Sequence, residues 1–202
     1  MPENSRGDIM VNLMQPIPLG YGRAAKEAQS IAAPLLTAAA LSLAGVVAGA
    51  DGAAFRWPGI TLLVLVTTSV ALVASIQLSY HARQYLYSRQ DIDDWYQPEY
   101  RTDTPAYDLL CDWQLKDYRK WARFNRRGLA CFNAGTILLG AGVALALLPP
   151  EIGRQAEWRW AAAAIVIAAT IADMAWTFYV YRRTRELEAQ RRSSLTGIVN
   201  KM

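Results

Sequence analysis

The stretch PGITLLVLVTTSVALVASIQLSY, residues 58–80, decides the fold, because its 23 residues include no charged side chain. An α-helix rises about 1.5 Å per residue, so a helix of this length crosses a hydrocarbon layer of about 30 Å. Three more stretches share this character, at residues 30–50, 128–150 and 160–181, and only the last contains a charged residue, Asp173. The sequence therefore predicts an all-α polytopic membrane protein with four transmembrane helices.

A soluble four-helix bundle is the main alternative to this interpretation. The helices of such a bundle carry charged side chains at every third or fourth position, because one face of each helix meets water. The four stretches lack that pattern. The mean hydropathy of +0.07 averages these apolar stretches with a highly charged central segment, so it does not argue against membrane spans.

The placement of the basic residues predicts the orientation of the chain. Eighteen of the 21 Lys and Arg residues lie in residues 1–29, 81–127 and 182–202, and three lie in the short turns 51–57 and 151–159. Cytoplasmic loops carry the excess of positive charge, so both termini and the central segment are expected in the cytoplasm of a multi-pass cell-membrane protein. The basic clusters adjoin the span ends, where anionic lipid headgroups are a nearer partner than nucleic acid.

This topology divides the chain into five parts. They are a partly disordered cytoplasmic leader (1–27), a first transmembrane hairpin (28–80), a cytoplasmic helical segment (81–127), a second transmembrane hairpin (128–181) and a cytoplasmic tail (182–202). Residues 47–50 resemble a signal-peptidase site, but the long leader and the spanning length of the first stretch favour an uncleaved helix. The composition, rich in Ala and Arg with few Lys, indicates a bacterial genome rich in G and C.

Helices are expected to extend beyond the spans on the cytoplasmic side. Residues 81–90 are predicted to continue the second span, and Pro98 and Pro105 interrupt the chain after it. Thr104 and Pro105 form a typical helix start, with a hydroxyl at the cap and proline at the first helical position. That helix is predicted to run to about Arg127 and directly into the third span, with a bend allowed at Gly128. Residues 182–192 are predicted to continue the fourth span.

Aromatic side chains crowd the central segment. A solvated loop has no use for so many large rings, so they are expected to pack inside the chain or against a partner. Internal packing is the favoured interpretation, and docking of a partner is the alternative. The docking candidates are Trp95, Tyr107, Trp113, Tyr118 and Trp121.

Asp173 is the one ionisable residue inside a span. A carboxylate near the centre of a spanning helix costs about 2.5–3.5 kcal/mol on insertion scales, so it usually turns toward other helices and often has a function. Thr170 and Thr177 share its helix face, and Thr136 and Asn133 lie at similar depth in the third span. The site is interpreted either as an ion, proton or pore carboxylate or as a hydrogen-bonded residue that fixes helix pairing.

Small residues at four-residue spacing predict close helix packing. Gly45 and Gly49 form such a pair in the first span, and Thr136, Gly140 and Ala144 form a row in the third. Faces of this kind let helix backbones approach closely, either within one chain or between two copies.

The sequence offers no catalytic constellation. His81 is the only histidine and lies just past a span end, without Cys, Asp or Glu at ligand spacing. Cys111 and Cys131 are interpreted as small apolar residues. Neither a phosphate-binding glycine loop nor a nucleophile elbow is present. We therefore expect no enzyme activity, no metal and no cofactor.

These observations predict a non-enzymatic membrane anchor or scaffold that docks a partner, or another copy of itself, through its cytoplasmic helices. One alternative is an oligomeric ion channel or pore-forming effector with Asp173 facing the pore. A helical hairpin flanked by cytoplasmic helices resembles, in architecture alone, the bacterial pore-forming effectors called SLATT domains. A second alternative is a small transporter working as a dimer or larger. Expected partners are anionic lipid headgroups, further copies of the chain, and a membrane or cytoplasmic protein.

Overall fold

The computed structural model describes residues 28–50, 54–87, 105–150 and 156–199, and within these ranges regular structure is entirely helical. A π-helical turn, Ala28–Ala32, leads into the first helix. The four α-helices are α1 (Ala33–Gly49), α2 (Pro58–Arg83), α3 (Pro105–Leu147) and α4 (Ala156–Val199). The prediction of an all-α fold is confirmed.

Four helical segments are long and apolar enough to cross a membrane, the first of them formed by α1 together with the π-helical turn before it. Within the described residues these candidate spans are Gln29–Gly49, Pro58–Arg83, Asp112–Leu147 and Ala156–Arg183. The four spans support the prediction of a multi-pass membrane protein. The pairing of spans into two hairpins and the cytoplasmic position of the extensions stay predictions.

Proline positions explain where two helices begin. Pro34 lacks an N–H group, and its ring clashes with the carbonyl of Ser30 in a regular α-helix, so the chain forms a wider π-turn just before it. Pro105 occupies the first turn of α3, where the missing N–H has no helical partner to lose. The predicted continuations are confirmed: α3 passes Gly128 without a break, and α4 extends beyond residue 192.

The end of α2 differs from our prediction. Residues 81–90 were expected to be helical, but α2 ends at Arg83. The N–H groups of Tyr85 and Leu86 donate to carbonyls three residues earlier, at 3.1 and 3.3 Å, which tightens and ends the last turn. After this turn the Tyr85 ring stacks on Phe124 of α3, with centroids 5.9 Å apart and planes 5° from parallel. Residues 88–90 lie outside the described part of the chain.

The Cα positions group the chain into two compact units. The first comprises Met1–Leu35 and Val73–Phe132, and the second comprises Leu36–Leu72 and Asn133–Met202. In the second unit, Ala44, Val47 and Leu65 form a buried cluster. Four partly buried side chains pack around it: Leu43, Phe55, Leu62 and Leu139.

One face of α2 is buried along the helix with a regular spacing. Its members, called the α2 seam, are Thr61, Leu65, Thr68, Leu72, Ser75, Ser79 and Ala82. They recur every four and then three residues, which is the 3.5-residue period of interlocking helices. The hydroxyls of Thr61, Thr68 and Ser79 donate to carbonyls four residues earlier, at 2.7–2.9 Å. Because these hydroxyls are satisfied within their own helix, they can be buried without an outside partner.

Glycines of α3 lie against the α2 seam. In the second unit, a Cβ atom built on Gly135 would lie 2.7 Å from Leu72 Cδ2, and one built on Gly142 would lie 2.7 Å from Leu65 Cδ2. In the first unit, a Cβ atom on Gly128 would lie 3.0 Å from Ser79 Oγ. The three glycines are seven residues apart, so each leaves room for one seam residue.

Candidate functional site

The charged part of α3 has a buried face in the first unit. Leu110, Gln114, Trp121 and Asn125 all lie on this face and are buried. Trp121 is only 7% exposed, so its large ring is packed within the chain. The residue that was predicted either to pack internally or to dock a partner is therefore not available on the surface.

A different face of the same helix segment is open. Leu109 and Trp113, one turn apart, are 49% and 48% exposed. Four cations continue this line at three- and four-residue spacing, and all of them are exposed. The whole line, called the α3 ridge, is Leu109, Trp113, Lys116, Lys120, Arg123 and Arg127. The ridge thus starts with two apolar side chains and continues as a row of positive charge.

One cation of the ridge is held by neighbours. Lys120 Nζ lies 3.0 Å from the Asp117 carboxylate, one helical turn away, and 5.1 Å from the centre of the Tyr85 ring. Both contacts are partly exposed to solvent, so each contributes little to stability. They orient the ammonium group without neutralising the ridge, because three further cations follow the same line.

The remaining aromatic docking candidates differ from Trp113 and Trp121 in burial or lie outside the described part of the structure. Tyr118 is half-buried, with its ring centroid 5.1 Å from that of Trp121. Tyr107 lies within α3, but its side chain is outside the described part of the structure, as is the whole of Trp95. Among the described candidates, Trp113 is the exposed one.

Asp173 lies on α4 with its side chain exposed. Two of its predicted partners use their hydroxyl hydrogens elsewhere: Thr170 Oγ1 donates to the Val166 carbonyl at 2.8 Å, and Thr136 Oγ1 donates to the Asn133 carbonyl at 2.9 Å. Within the described ranges, no hydrogen bond or ion pair joins the Asp173 carboxyl group to another residue. The structure therefore does not pair Asp173 with the partners that its depth predicted.

The rest of the fourth span is almost uncovered. Among its 18 most apolar consecutive residues only 6% are buried, against 33% in the corresponding stretch of the second span. From residue 171 to residue 183 every side chain except Thr177 is exposed. A carboxylate near the centre of a bare spanning helix costs about 2.5–3.5 kcal/mol on insertion scales, so Asp173 on this stretch is the second candidate site.

Two contacts tie α4 to α3 in the second unit. Thr170 approaches Gly140 so closely that a Cβ atom on this glycine would clash with Thr170 Oγ1. The Arg159 guanidinium donates to the carbonyls of Ala146 and Leu147, both at 3.2 Å, and more weakly to that of Leu148. Arg159 thereby satisfies the last carbonyls of α3, which have no helical donor.

The predicted packing glycines divide into two groups. Gly140 meets Thr170, whereas a Cβ atom on Gly45 or Gly49 would meet no atom within 4 Å among the described residues. Packing through Gly45 and Gly49, within the chain or between two copies, stays a prediction. Our sequence interpretation missed two further close approaches, at Gly135 and Gly142, although their seven-residue spacing, shared with Gly128, was a signal for them.

The described residues contain no group of three or more His, Cys, Asp or Glu side chains that could hold a metal ion. His81 lies among aromatic rings instead, with its ring centroid 5.8 Å from that of Tyr80 and 6.2 Å from that of Phe124.

Comparison of the sequence with protein-family models and with curated proteins found no match, and comparison with solved structures found none either.

Proposed function

We propose that this chain is a non-enzymatic membrane scaffold, anchored by its four spans, that docks an acidic partner protein on the cytoplasmic α3 ridge. The observation that carries the proposal is the exposure of Leu109 and Trp113 on a helix whose other face is packed within the chain. Neighbouring apolar side chains that stay uncovered in water are typical of protein interaction sites.

The length and charge of α3 support a position of the ridge in water. The helix has 43 residues, about 64 Å at 1.5 Å per residue, and the hydrocarbon layer takes up about 30 Å of it. Six Lys and Arg residues lie between residues 116 and 127. Ionised side chains are costly in hydrocarbon, so the charged half of the candidate span is expected outside the membrane, with residues 109 and 113 farther still from the uncharged stretch that begins at Gly128.

The order of side chains on the ridge indicates the chemistry of the partner. Trp113 is a large, rigid anchor of the kind that contributes most to binding when a partner covers it. The cations that follow favour carboxylates on the partner and disfavour a basic one. An amphipathic helix with one apolar residue and a row of Asp or Glu fits this surface. Arg123 and Arg127, the ridge cations nearest the uncharged stretch, are also within reach of anionic headgroups.

Site-specific photocrosslinking tests the proposal in the cells that make the protein. The photoreactive residue p-benzoylphenylalanine replaces Trp113 in the full-length chain, and irradiation is expected to give one discrete adduct, with a protein that carries an acidic segment at the crosslink. Lys116→Glu in the same chain is expected to reduce that adduct at least tenfold, because the reversed charge repels the partner.

Trp158 provides the matched control for this experiment. It is 78% exposed, like Trp113 a surface tryptophan, but it lies in the first turn of α4. The photoreactive residue at position 158 is expected to give no adduct of the same mass. Identical adducts from both positions, or an adduct at position 113 that Lys116→Glu leaves unchanged, would contradict the docking proposal.

Asp173 supports a second candidate function, an oligomeric pore. Its carboxyl is exposed on a bare spanning helix, and several copies arranged around such a residue could line an aqueous path with it. In liposomes, the native chain is then expected to conduct cations, and the Asp173→Asn substitution is expected to lower the cation flux at least tenfold. Absence of flux from the native chain would refute the pore function and leave the docking function untouched.

A further inference from the structure

We infer that two copies of this chain associate through the fourth span, with Asp173 of each copy hydrogen-bonded across the contact. This inference goes beyond docking on the α3 ridge, since it involves another helix and another kind of partner. Its starting point is the stretch from residue 171 to residue 183, which the chain itself leaves exposed except at Thr177.

A carboxyl group at this position needs a polar partner. Hydrocarbon offers no water to satisfy a polar side chain, so polar residues in spans face other helices or a wet cavity. The chain's own hydroxyl groups nearby, Thr170 and Thr136, already donate to backbone carbonyls of their own helices. Among the described residues, none donates a hydrogen bond to the Asp173 carboxyl group, and a second copy of the chain can supply one.

Symmetry makes a second copy the natural partner. Copies of one membrane protein insert with the same orientation, so a two-fold axis along the membrane normal sets their fourth spans side by side and parallel. Each residue then lies at the same depth as its counterpart. Asp173 thus meets a carboxyl group, which both donates and accepts when it carries a proton, and the Thr177 hydroxyl lies one turn away. A different protein would need its own polar group at that depth.

The residues around Asp173 have the spacing of a parallel helix pair. Ala169, Asp173, Trp176 and Val180 recur at intervals of four, three and four residues, which is the 3.5-residue period of interlocking parallel helices. All four are exposed. Ala169 is small enough to let two helices approach closely. A single polar residue in such an interface is known to specify the register and number of helices.

A two-fold contact of this kind buries Asp173 between helices, whereas a pore requires it in water. The two functions of the same residue therefore predict different effects of Asp173→Asn. An amide keeps the ability to hydrogen-bond across the contact, so association should survive the change, whereas a pore would lose its charge. Association and ion flux are measured separately, and neither readout depends on docking at Trp113.

Energy transfer between labelled copies tests the inference. Full-length chains carrying donor or acceptor dyes are reconstituted in vesicles of phosphatidylcholine and phosphatidylglycerol and diluted with increasing lipid. The native chain is expected to associate specifically. Asp173→Leu, which removes the hydrogen bonds, is expected to weaken association at least tenfold, and Asp173→Asn to keep it within threefold of native.

Two alanines provide a matched pair that does not alter Asp173. Ala169→Leu adds bulk to the proposed contact and is expected to weaken association, while Ala175→Leu lies about 200° around the helix from Asp173 and should have no effect. Far-UV circular dichroism checks that all variants keep the native helix content. A native chain that stays monomeric at every dilution, as expected if another membrane protein covers Asp173, would overturn the inference. Equal association of native, Asp173→Leu and Ala169→Leu would do the same.

Discussion

The second and fourth spans look alike in the sequence and differ in packing. Both are long, apolar and helical. In the most apolar 18 residues of the second span 33% of the residues are buried, and in the most apolar 18 residues of the fourth span only 6% are buried. On α2 the residues of the α2 seam are buried with a 3.5-residue period, whereas Ala163 is the one buried side chain among the described residues of α4. Length and apolarity therefore allow a helix to span the membrane, but they do not determine whether it packs against another helix.

The neighbouring glycines account for the difference. Leu65 and Leu72 of α2 lie where α3 has Gly142 and Gly135, so backbone and side chain approach closely and gain dispersion contacts. Among the described glycines of α3, only Gly140 lies this close to a side chain of α4, that of Thr170. Beyond Thr170 the fourth span presents large side chains such as Trp176 and Phe178, which remain exposed.

Shortening a side chain of the α2 seam should have the largest effect. Leu72 is fully buried, so Leu72→Ala removes its contacts and leaves a cavity, with an expected loss of about 2–5 kcal/mol in the free energy of unfolding. Leu63 on the same helix is 66% exposed, and Leu63→Ala should change stability by about 0.5 kcal/mol or less. Denaturation by SDS in mixed micelles, followed by circular dichroism, measures both. Equal losses would show that the seam is not the packed face of α2.

Filling a glycine opposite the seam should have the next largest effect. Gly135→Leu forces a side chain into the space of Leu72, and overpacking of this kind costs about 1–3 kcal/mol. Gly45 is exposed with no neighbouring atom within 4 Å among the described residues, so Gly45→Leu should leave stability unchanged or raise it by up to about 1 kcal/mol. The same micelle titration compares the two. A destabilised Gly45→Leu chain would reveal a contact on α1 that involves other parts of the protein.

Removing the tie between α3 and α4 should have a smaller effect. Arg159→Ala leaves the last carbonyls of α3 without their donor, and we expect a loss of about 1–2 kcal/mol, partly restored in Arg159→Lys. Arg56, an exposed residue whose guanidinium lies 5.3 Å from the Trp57 ring centre, is the matched control, with an expected loss below about 1 kcal/mol. If Arg159→Ala matches Arg56→Ala, the fourth span is held by other contacts.

Much of the helical framework could be predicted from the sequence, because it depends on local chemistry. The charge-free stretches predicted the spans, and Pro105 predicted the start of α3, since proline suits the first helical turn. The end of α2 was predicted wrongly. Residues 81–90 have no strong helix breaker, and the chain nevertheless leaves the helix after Arg83, where Tyr85 stacks on Phe124 of another helix. Such long-range contacts have no local signal.

In the candidate site, too, some features could be predicted from the sequence and others depend on long-range contacts. Trp113 and Trp121 are both tryptophans of one helix. Helical spacing places Trp121, but not Trp113, on one face with Leu110 and Tyr118, without showing which face is covered. The structure exposes Trp113 and buries Trp121, because the two lie on different faces and only one face meets the rest of the first unit. In a membrane span the covered face of a helix is harder to predict, because a side chain that faces lipid is as apolar as one that faces protein.

The sequence by itself determined that this protein is helical, that four of its segments suit a membrane, and that charge divides α3 into an apolar and a basic half. These properties depend on side-chain chemistry and on the length of uncharged runs. Only the tertiary structure decided that Gly135 and Gly142, rather than Gly45 and Gly49, admit a neighbouring side chain, and that Asp173 has no described partner within its own chain. The physical reason is that close packing depends on which faces meet, and uncharged spans carry no contrast between faces that would reveal it.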